Sequence, residues 1–170
     1  MSEKTATVQV KIKYKEIEQE FVAPPQEAWL LTNQFFKDFV PSFEIAQKLW
    51  LTIDLQQLAK DASDIVSFSD EGANLLVPKN KLTDNEALSV WLTAYYLGQK
   101  LGIIKNDSMS KDELQIKVGK SSKITSTRLG ELAKNGMVQK TADDKFRITT
   151  YGVLQTQKEV IPRIKSKINF

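Results

Sequence analysis

The 170-residue chain carries 24 Lys and Arg against 21 Asp and Glu, a formal net charge of +3, and 41% of its residues are apolar. That composition is typical of a folded globular protein. The chain has no cysteine and no histidine, which excludes disulfides, thiolate nucleophiles, sulfur-bound metals and imidazole catalysis. We therefore expect no enzyme, no metal site and no cofactor.

Cellular location follows from two further features of the sequence. No apolar run approaches the roughly 20 residues that span a bilayer. The N-terminal segment MSEKTATV also lacks the apolar core of a secretory signal. The sequence predicts a cytoplasmic protein without a membrane partner.

The first part of the chain, residues 1–78, predicts an α+β domain. Alternating apolar residues indicate strands, and apolar residues at spacings of three and four indicate helices. The expected hairpins are residues 6–22 and 65–77, and the expected helices are residues 26–41, 42–51 and 54–62. The order ββαααββ predicts one four-stranded antiparallel sheet covered by helices. Residues 78–81 are the expected linker.

Aromatic residues are concentrated in this domain, with seven of the fifteen in the chain between Phe21 and Trp50. Rings beside lysines are typical of single-stranded nucleic acid binding. Only Lys37 and Lys48 accompany these rings, and their periodicity favours a core. We expect a dimerisation or partner-binding domain, and single-stranded nucleic acid binding is the alternative.

A second domain is expected at residues 82–155 and begins with a long helix. Thr83 and Glu86, three residues apart, form a capping box, and Gly102 ends the helix. Trp91, Tyr95 and Tyr96 fall at helical spacing. Their spacing favours a place in the core over a stacking surface.

Two short helices follow and predict a helix-turn-helix. Ser110 and Glu113 form a second capping box, and Gly119 ends that helix. Ser121 and Ser122 are candidate N-caps of the next helix, which ends at Gly136. Its apolar side is expected to consist of Thr125, Leu129, Leu132 and Ala133.

A polar turn at Asp143-Asp144 separates two short strands, which predict a β-hairpin, or wing. The segment resembles the winged-helix family of archaeal and bacterial transcription regulators over residues 83–155. The matching positions are Ser126, Leu129, Leu132, Gly136, Val138, Ile148, Thr149 and Gly152. It departs from the family at Ile124 and Thr125, where Thr and then Val are more usual. The resemblance implies a DNA-binding fold.

Positive charge is concentrated on the same segment. Residues 1–80 hold 8 Lys and Arg against 12 Asp and Glu, whereas residues 81–170 hold 16 against 9. A basic patch attracts the phosphate backbone of DNA. The expected DNA-binding residues are Lys120, Ser121, Ser122, Lys123, Ser126, Thr127, Arg128, Lys134, Lys140, Lys145 and Arg147. A plain solvated helix face is the alternative for these charges.

The expected mode of recognition is contact with the backbone or the shape of DNA. No Asn, Gln or outward Arg is placed for a bidentate contact with a base. Arg128 has three candidate partners: a phosphate, a base, or Glu131. The sequence therefore predicts weak dependence on DNA sequence.

The remaining segment, residues 156–170, continues a helix from Thr150, which we expect to end near Ile161 because Pro162 disfavours continuation. It packs either across a homodimer partner or back on its own domain. We expect a nucleoid-associated transcription regulator or chromatin-associated factor that binds double-stranded DNA. The alternative is a winged helix that acts as a protein-interaction module within a larger nucleic-acid machine.

Overall fold

The computed structural model describes residues 6–40 and 51–168, within two compact units, Met1–Trp50 and Leu51–Phe170. Both contain helices and antiparallel strands, so the fold class is α+β. The boundary between the units precedes residue 51, whereas the linker was expected at residues 78–81. The helix expected at residues 42–51 falls almost wholly outside the described residues. Across the described ranges, no helix has the length and apolar character needed to cross a membrane.

In the first unit, strands β1 (Val8–Tyr14) and β2 (Ile17–Ala23) pair along their whole length. The turn between them places Lys15 at φ 55°. Helix α1 (Pro25–Phe39) begins with a proline, which is favourable there because the first N–H groups of a helix have no intrahelical partner. The predicted first hairpin and helix are confirmed. Phe35 is buried, as expected of a core aromatic residue, whereas Trp29 is 67% exposed.

The second unit begins with helix α2 (Leu55–Ala62) and a hairpin of strands β3 (Val66–Ser69) and β4 (Gly72–Leu75). These strands pair with each other in a separate two-stranded sheet, so the expected four-stranded sheet is not formed. The reason is that these strands pack against later parts of the chain. Each strand has only four residues, and Val66 and Ala73 enter the core of the second unit.

Helix α3 (Asp84–Lys100) is the centre of this core, and eleven of its seventeen residues are buried. A helix that is apolar on most sides is stable only when other elements cover it. This cover is provided by helix α2, the β3–β4 hairpin and most of the elements that follow α3. The unit boundary therefore precedes α2, because removal of residues 54–75 would expose α3. The predicted Thr83–Glu86 capping box is present at its start.

Helices α4 (Lys111–Val118) and α5 (Ser122–Lys134) follow. Ser110 and Glu113 form the predicted capping box of α4, Gly119 ends α4 at φ 73°, and Ser121 caps α5. At the end of α5, the Met137 N–H donates to the Leu132 carbonyl over 3.0 Å. This bond and the left-handed Gly136 form a Schellman motif.

The apolar side of α5 agrees with the prediction at Thr125, Leu129 and Leu132, which are at most 3% exposed. Ala133, which was expected on the same side, is exposed. It lies in the last turn of the helix, where the chain turns away towards Gly136.

A three-stranded antiparallel sheet completes the part of the unit that surrounds α3. Strands β5 (Ser108–Met109), β6 (Val138–Lys140) and β7 (Phe146–Ile148) lie in the order β5-β7-β6. The hairpin of β6 and β7 was predicted and is confirmed. Strand β5 was not predicted.

The chain ends in one continuous C-terminal helix: α6 (Thr150–Gln155), a π-helical turn (Thr156–Val160) and α7 (Ile161–Ile168). The prediction that the helix ends near Ile161 was wrong. Pro162 has no N–H to donate, and its ring would collide with a carbonyl of the preceding turn in a regular α-helix. The wider π turn, in which the Ile161 N–H bonds the Thr156 carbonyl, accommodates it.

The C-terminal helix packs on its own unit. Ile161 and Ile164 are buried in the core. Gln157 donates to Asp61 over 2.7 Å, and Lys165 donates to Asp64 over 2.7 Å. Of the two expected arrangements, the structure has the helix folded back, and its apolar side is not available to a homodimer partner.

Replacement of Ile164 by valine is expected to lower the free energy of unfolding by about 1 kcal/mol, because a buried methylene is lost from a fully enclosed site. Denaturant titration measures the change. The molar mass from light scattering should be the same for the variant and the parent. A lower mass with unchanged stability would indicate that Ile164 lies at a dimer interface instead.

Candidate nucleic-acid interface

The outward side of α5 carries short polar residues and one lysine in its first two turns. Ser122, Lys123, Ser126 and Thr127 are all exposed. The Thr127 hydroxyl donates to the Lys123 carbonyl over 2.9 Å. This surface is formed because Thr125 and Leu129 bury the opposite side of the helix.

Two of the expected DNA-binding cations are already paired with carboxylates. Lys120 lies 3.2 Å from Asp84, at the start of α3. The Arg128 guanidinium bonds both carboxylate oxygens of Glu131 at 2.8 and 2.9 Å, and its Nε lies 3.9 Å from Asp84. Of the three partners considered for Arg128, the structure thus has Glu131.

Glu131 is held by a second residue. The Asn85 amide donates to its carboxylate over 3.1 Å. Hydrogen bonds from Asn85 and then Arg128 lower the pKa of Glu131. The pair therefore stays ionised at neutral pH, and Arg128 would have to leave Glu131 in order to reach a phosphate.

Lys123 and Lys134 are the available cations of α5. Both side chains are exposed. In the described parts of the chain no ion pair involves either residue. They lie near opposite ends of a 13-residue helix, so together they present positive charge along its length.

The tip of the β6–β7 hairpin is closed by hydrogen bonds and is nearly neutral. The Thr141 hydroxyl accepts the Lys145 N–H over 3.1 Å, and the Thr141 N–H donates to the Lys145 carbonyl over 2.8 Å. Lys140 pairs with Asp144 at 2.5 Å, and Lys145 lies 3.7 Å from Asp143. The expected cations Lys140 and Lys145 are thus accompanied by Asp144 and Asp143, which were predicted only to form a turn.

Arg147 is different, since none of the ion pairs among the described residues includes it. It lies opposite Ser108 on one neighbouring strand and Gln139 on the other. Cross-strand partners share a face of the sheet, so these three residues form its outer face. Val138 and Ile148 lie on the inner face and are buried.

The sequence predicted only Lys120 of a second basic region. A cavity of about 220 Å³ is lined by Trp91, Lys79, Lys117 and Lys120, among others. The Lys117 ammonium lies 4.4 Å from the centroid of the Trp91 ring, a cation–π contact. The spacing of Lys117 and Lys120 at the end of α4 was a usable signal for this region. Lys79 was assigned to a linker.

Helices α4 and α5 also expose apolar side chains. Ile116 of α4 is 76% exposed and Ile124 of α5 is 40% exposed.

No group of three or more carboxylates in the described residues is arranged to hold a metal ion. No protein-family model matches this chain, and no curated protein or solved structure matches it significantly.

Proposed function

We propose that the chain binds double-stranded DNA through a winged helix at residues 82–155, as a transcription regulator or chromatin-associated factor. The order α3-β5-α4-α5-β6-β7 and the sheet order β5-β7-β6 support this proposal, because three helices and a terminal hairpin are the elements of that fold. In such domains the second helix of the helix-turn-helix enters the major groove. In the proposed domain, α5 is this second helix.

The observation that carries the proposal is the pair of available lysines on α5. Lys123 and Lys134 extend from an exposed helix side that also carries Ser122, Ser126 and Thr127. Ammonium and hydroxyl groups of this kind contact phosphate oxygens. Neutralised phosphates release counterions, so binding of this kind weakens as salt rises.

The distribution of charge between the two units agrees with an interface on α5. Residues 1–50 hold 6 Lys and Arg against 7 Asp and Glu, and residues 51–170 hold 18 against 14. Within the second unit, Asp61 and Asp64 interact with the C-terminal helix. These two acidic residues, in α2 and just after it, therefore interact with the C-terminal helix rather than with α5.

Replacement of Lys123 or Lys134 by alanine in the full chain is expected to weaken duplex binding about tenfold at low salt. Each should reduce the slope of log affinity against log salt by about 0.9, the value for one phosphate contact. Fluorescence anisotropy of a labelled duplex over a range of salt concentrations measures both. Arg128→Ala should have a smaller effect, because Arg128 is paired with Glu131.

Lys158→Ala is the matched control, since Lys158 is exposed on the C-terminal helix. Its affinity and slope should equal those of the parent chain. An absence of duplex binding by the parent at low salt would refute the proposed function. Equal losses in all the lysine variants would show a diffuse charge effect and refute the interface on α5.

The exposed Ile116 and Ile124 favour a second candidate, a protein-interaction module. Apolar side chains on a helix-turn-helix gain nothing from phosphate contact, whereas a protein partner would bury them. Ile116→Ser should leave duplex affinity unchanged if α5 binds DNA. A chain that binds no duplex and whose solubility rises with Ile116→Ser would favour the second candidate.

A further inference from the structure

A cleft of about 460 Å³ is lined by residues of α3, of strands β6 and β7 and of the start of α6. Its lining includes two tyrosines, one cation and one carboxylate: Tyr96, Tyr151, Arg147 and Asp107. None of its lining residues belongs to α5. The cleft is therefore distinct from the α5 surface proposed for the DNA backbone, and its volume is within the range of sites for small organic molecules.

The aromatic side chains of the cleft are accessible. Tyr151 is 44% exposed, at the start of α6. Tyr96 is partly exposed, and the Lys100 ammonium lies 5.6 Å from the centroid of its ring. Tyr96 packs partly against the apolar core, as its helical spacing predicted, whereas Tyr151 is outside the core and presents its ring to the cleft.

The polar groups of the cleft differ in charge and in availability. Arg147 takes part in no ion pair among the described residues, although Asp107 lines the same cleft. Burial, and then the charge of Asp107, raise the pKa of Tyr96, so its phenol stays protonated at neutral pH. The cleft thus offers the Asp107 carboxylate as an acceptor. It also offers the Arg147 guanidinium, which donates to the Gln139 side-chain oxygen over 2.7 Å and retains further N–H donors.

We propose that this cleft binds one unpaired base of a nucleic acid strand, with the base stacked on Tyr151. This inference rests on the proposed function and adds a preference for DNA in which bases are unpaired. Stacking needs an exposed aromatic face and suits any base. The Asp107 carboxylate accepts a hydrogen bond from an exocyclic amino group, and Arg147 contacts the adjoining phosphate.

The chemistry of the cleft favours a base over other ligands. An acidic peptide would place carboxylates against Asp107, and an apolar peptide would leave the Asp107 carboxylate without a partner. A nucleotide satisfies both groups, since it has an amino edge and an anionic phosphate. Thymine has no amino group, so cytosine and adenine should bind better than thymine.

The test uses the full chain with a blunt duplex and the same duplex with a short single-stranded extension of cytosine, of thymine or of abasic sites. The cytosine extension should raise affinity at least about fivefold, as one stacked base contributes this much or more. Thymine should give a smaller rise and abasic sites none. Tyr151→Ala should abolish the rise and leave blunt-duplex affinity within about twofold.

Tyr151→Phe should retain the rise, because a phenyl ring also stacks, and Tyr14→Ala in the first unit is the matched control. Asp107→Ala should remove the difference between cytosine and thymine. Equal affinity of the parent for blunt and extended duplexes would overturn the proposal and leave the proposed function intact. Equal losses of affinity for blunt and extended duplexes in Tyr151→Ala would also overturn the proposal, because they would indicate a structural role for Tyr151. No binding to any duplex would refute the proposed function itself.

Discussion

Replacement of Gly152 by alanine is expected to lower the free energy of unfolding by about 3 kcal/mol, the upper end of the usual cost of an overpacked site. A Cβ at this position would lie 2.1 Å from the Met137 carbonyl oxygen and 2.8 Å from Cγ1 of Ile148. The carbonyl cannot move away freely, because it accepts the Thr149 N–H over 2.9 Å. The new methyl group must therefore displace α6 from the start of β6.

Equilibrium unfolding in denaturant measures this effect, and Gly130→Ala is the matched control. Gly130 is exposed within α5, and a Cβ there would have no neighbour within 4 Å. That substitution should raise stability by about 1 kcal/mol, because alanine favours a helix interior over glycine. If Gly152→Ala were as stable as the parent, the close approach of α6 to Met137 would be wrong.

The structure gives a physical reason for threonine at position 149 and glycine at position 152. The Thr149 hydroxyl accepts the Gly152 N–H over 2.9 Å and donates to the Gly136 carbonyl over 2.7 Å. Thr149 caps α6 and also joins it to the end of α5. Glycine at position 152 then permits the close approach. These two residues connect the hairpin to the helices on both sides.

The elements that were predicted well depend on neighbours in the sequence. The predicted capping boxes begin at Ser110 and Thr83, and a glycine ends α4. Each of these features involves residues at most four positions apart, so the sequence contains the whole signal. The first hairpin depends only on alternation and a short turn. The same local reasoning failed at Pro162, because a π turn depends on how the whole C-terminal helix packs.

The errors concern contacts between distant segments. The two N-terminal hairpins share one alternation pattern, which cannot reveal that β3 and β4 belong to the core around α3 rather than to the sheet of β1 and β2. Strand β5 has only two residues, too few for any periodicity. Its pairing with β7 depends on Ser108 and Arg147, which are far apart in the sequence.

The candidate interface shows the same limit. The sequence locates the basic residues of the turn, α5 and hairpin, but not their partners. Asp84 lies at the start of α3, yet it pairs with Lys120 and approaches Arg128. Tyr96 and Tyr151 are separated by two helices and a hairpin, and only the fold brings them to one cleft.

Glu86 is the polar residue on which we expect stability to depend most. It is 4% exposed, accepts the Thr83 N–H over 2.8 Å and bonds the Lys167 ammonium at 2.7 and 2.9 Å. Burial opposes ionisation of Glu86, but the hydrogen bonds from Lys167 and Thr83 outweigh burial and lower its pKa. One carboxylate thus caps α3 and holds the end of the C-terminal helix.

Replacement of Glu86 by alanine is expected to lower the free energy of unfolding by about 3 kcal/mol at neutral pH, from the lost cap and the lost charged hydrogen bond. Glu86→Gln should cost about 1.5 kcal/mol, since the amide oxygen still accepts the Thr83 N–H. A double-mutant cycle with Lys167→Met should give a coupling energy of about 1 kcal/mol between Glu86 and Lys167. The value is modest because solvent reaches the Lys167 ammonium and screens the interaction.

The dependence of this effect on pH has a definite sign. The folded pKa of Glu86 lies below its unfolded value, so the stabilisation is complete above the unfolded pKa and is lost as pH falls through the folded pKa. The parent and Glu86→Gln should therefore converge in stability in acid and differ most at neutral pH. Denaturant unfolding across this pH range measures the convergence. Glu159→Gln is the control, because Glu159 is exposed. Its stability should differ from that of the parent by at most about 0.5 kcal/mol at any pH. A constant difference between parent and Glu86→Gln down to strongly acidic pH would show that the carboxylate acts through its shape and not through its charge.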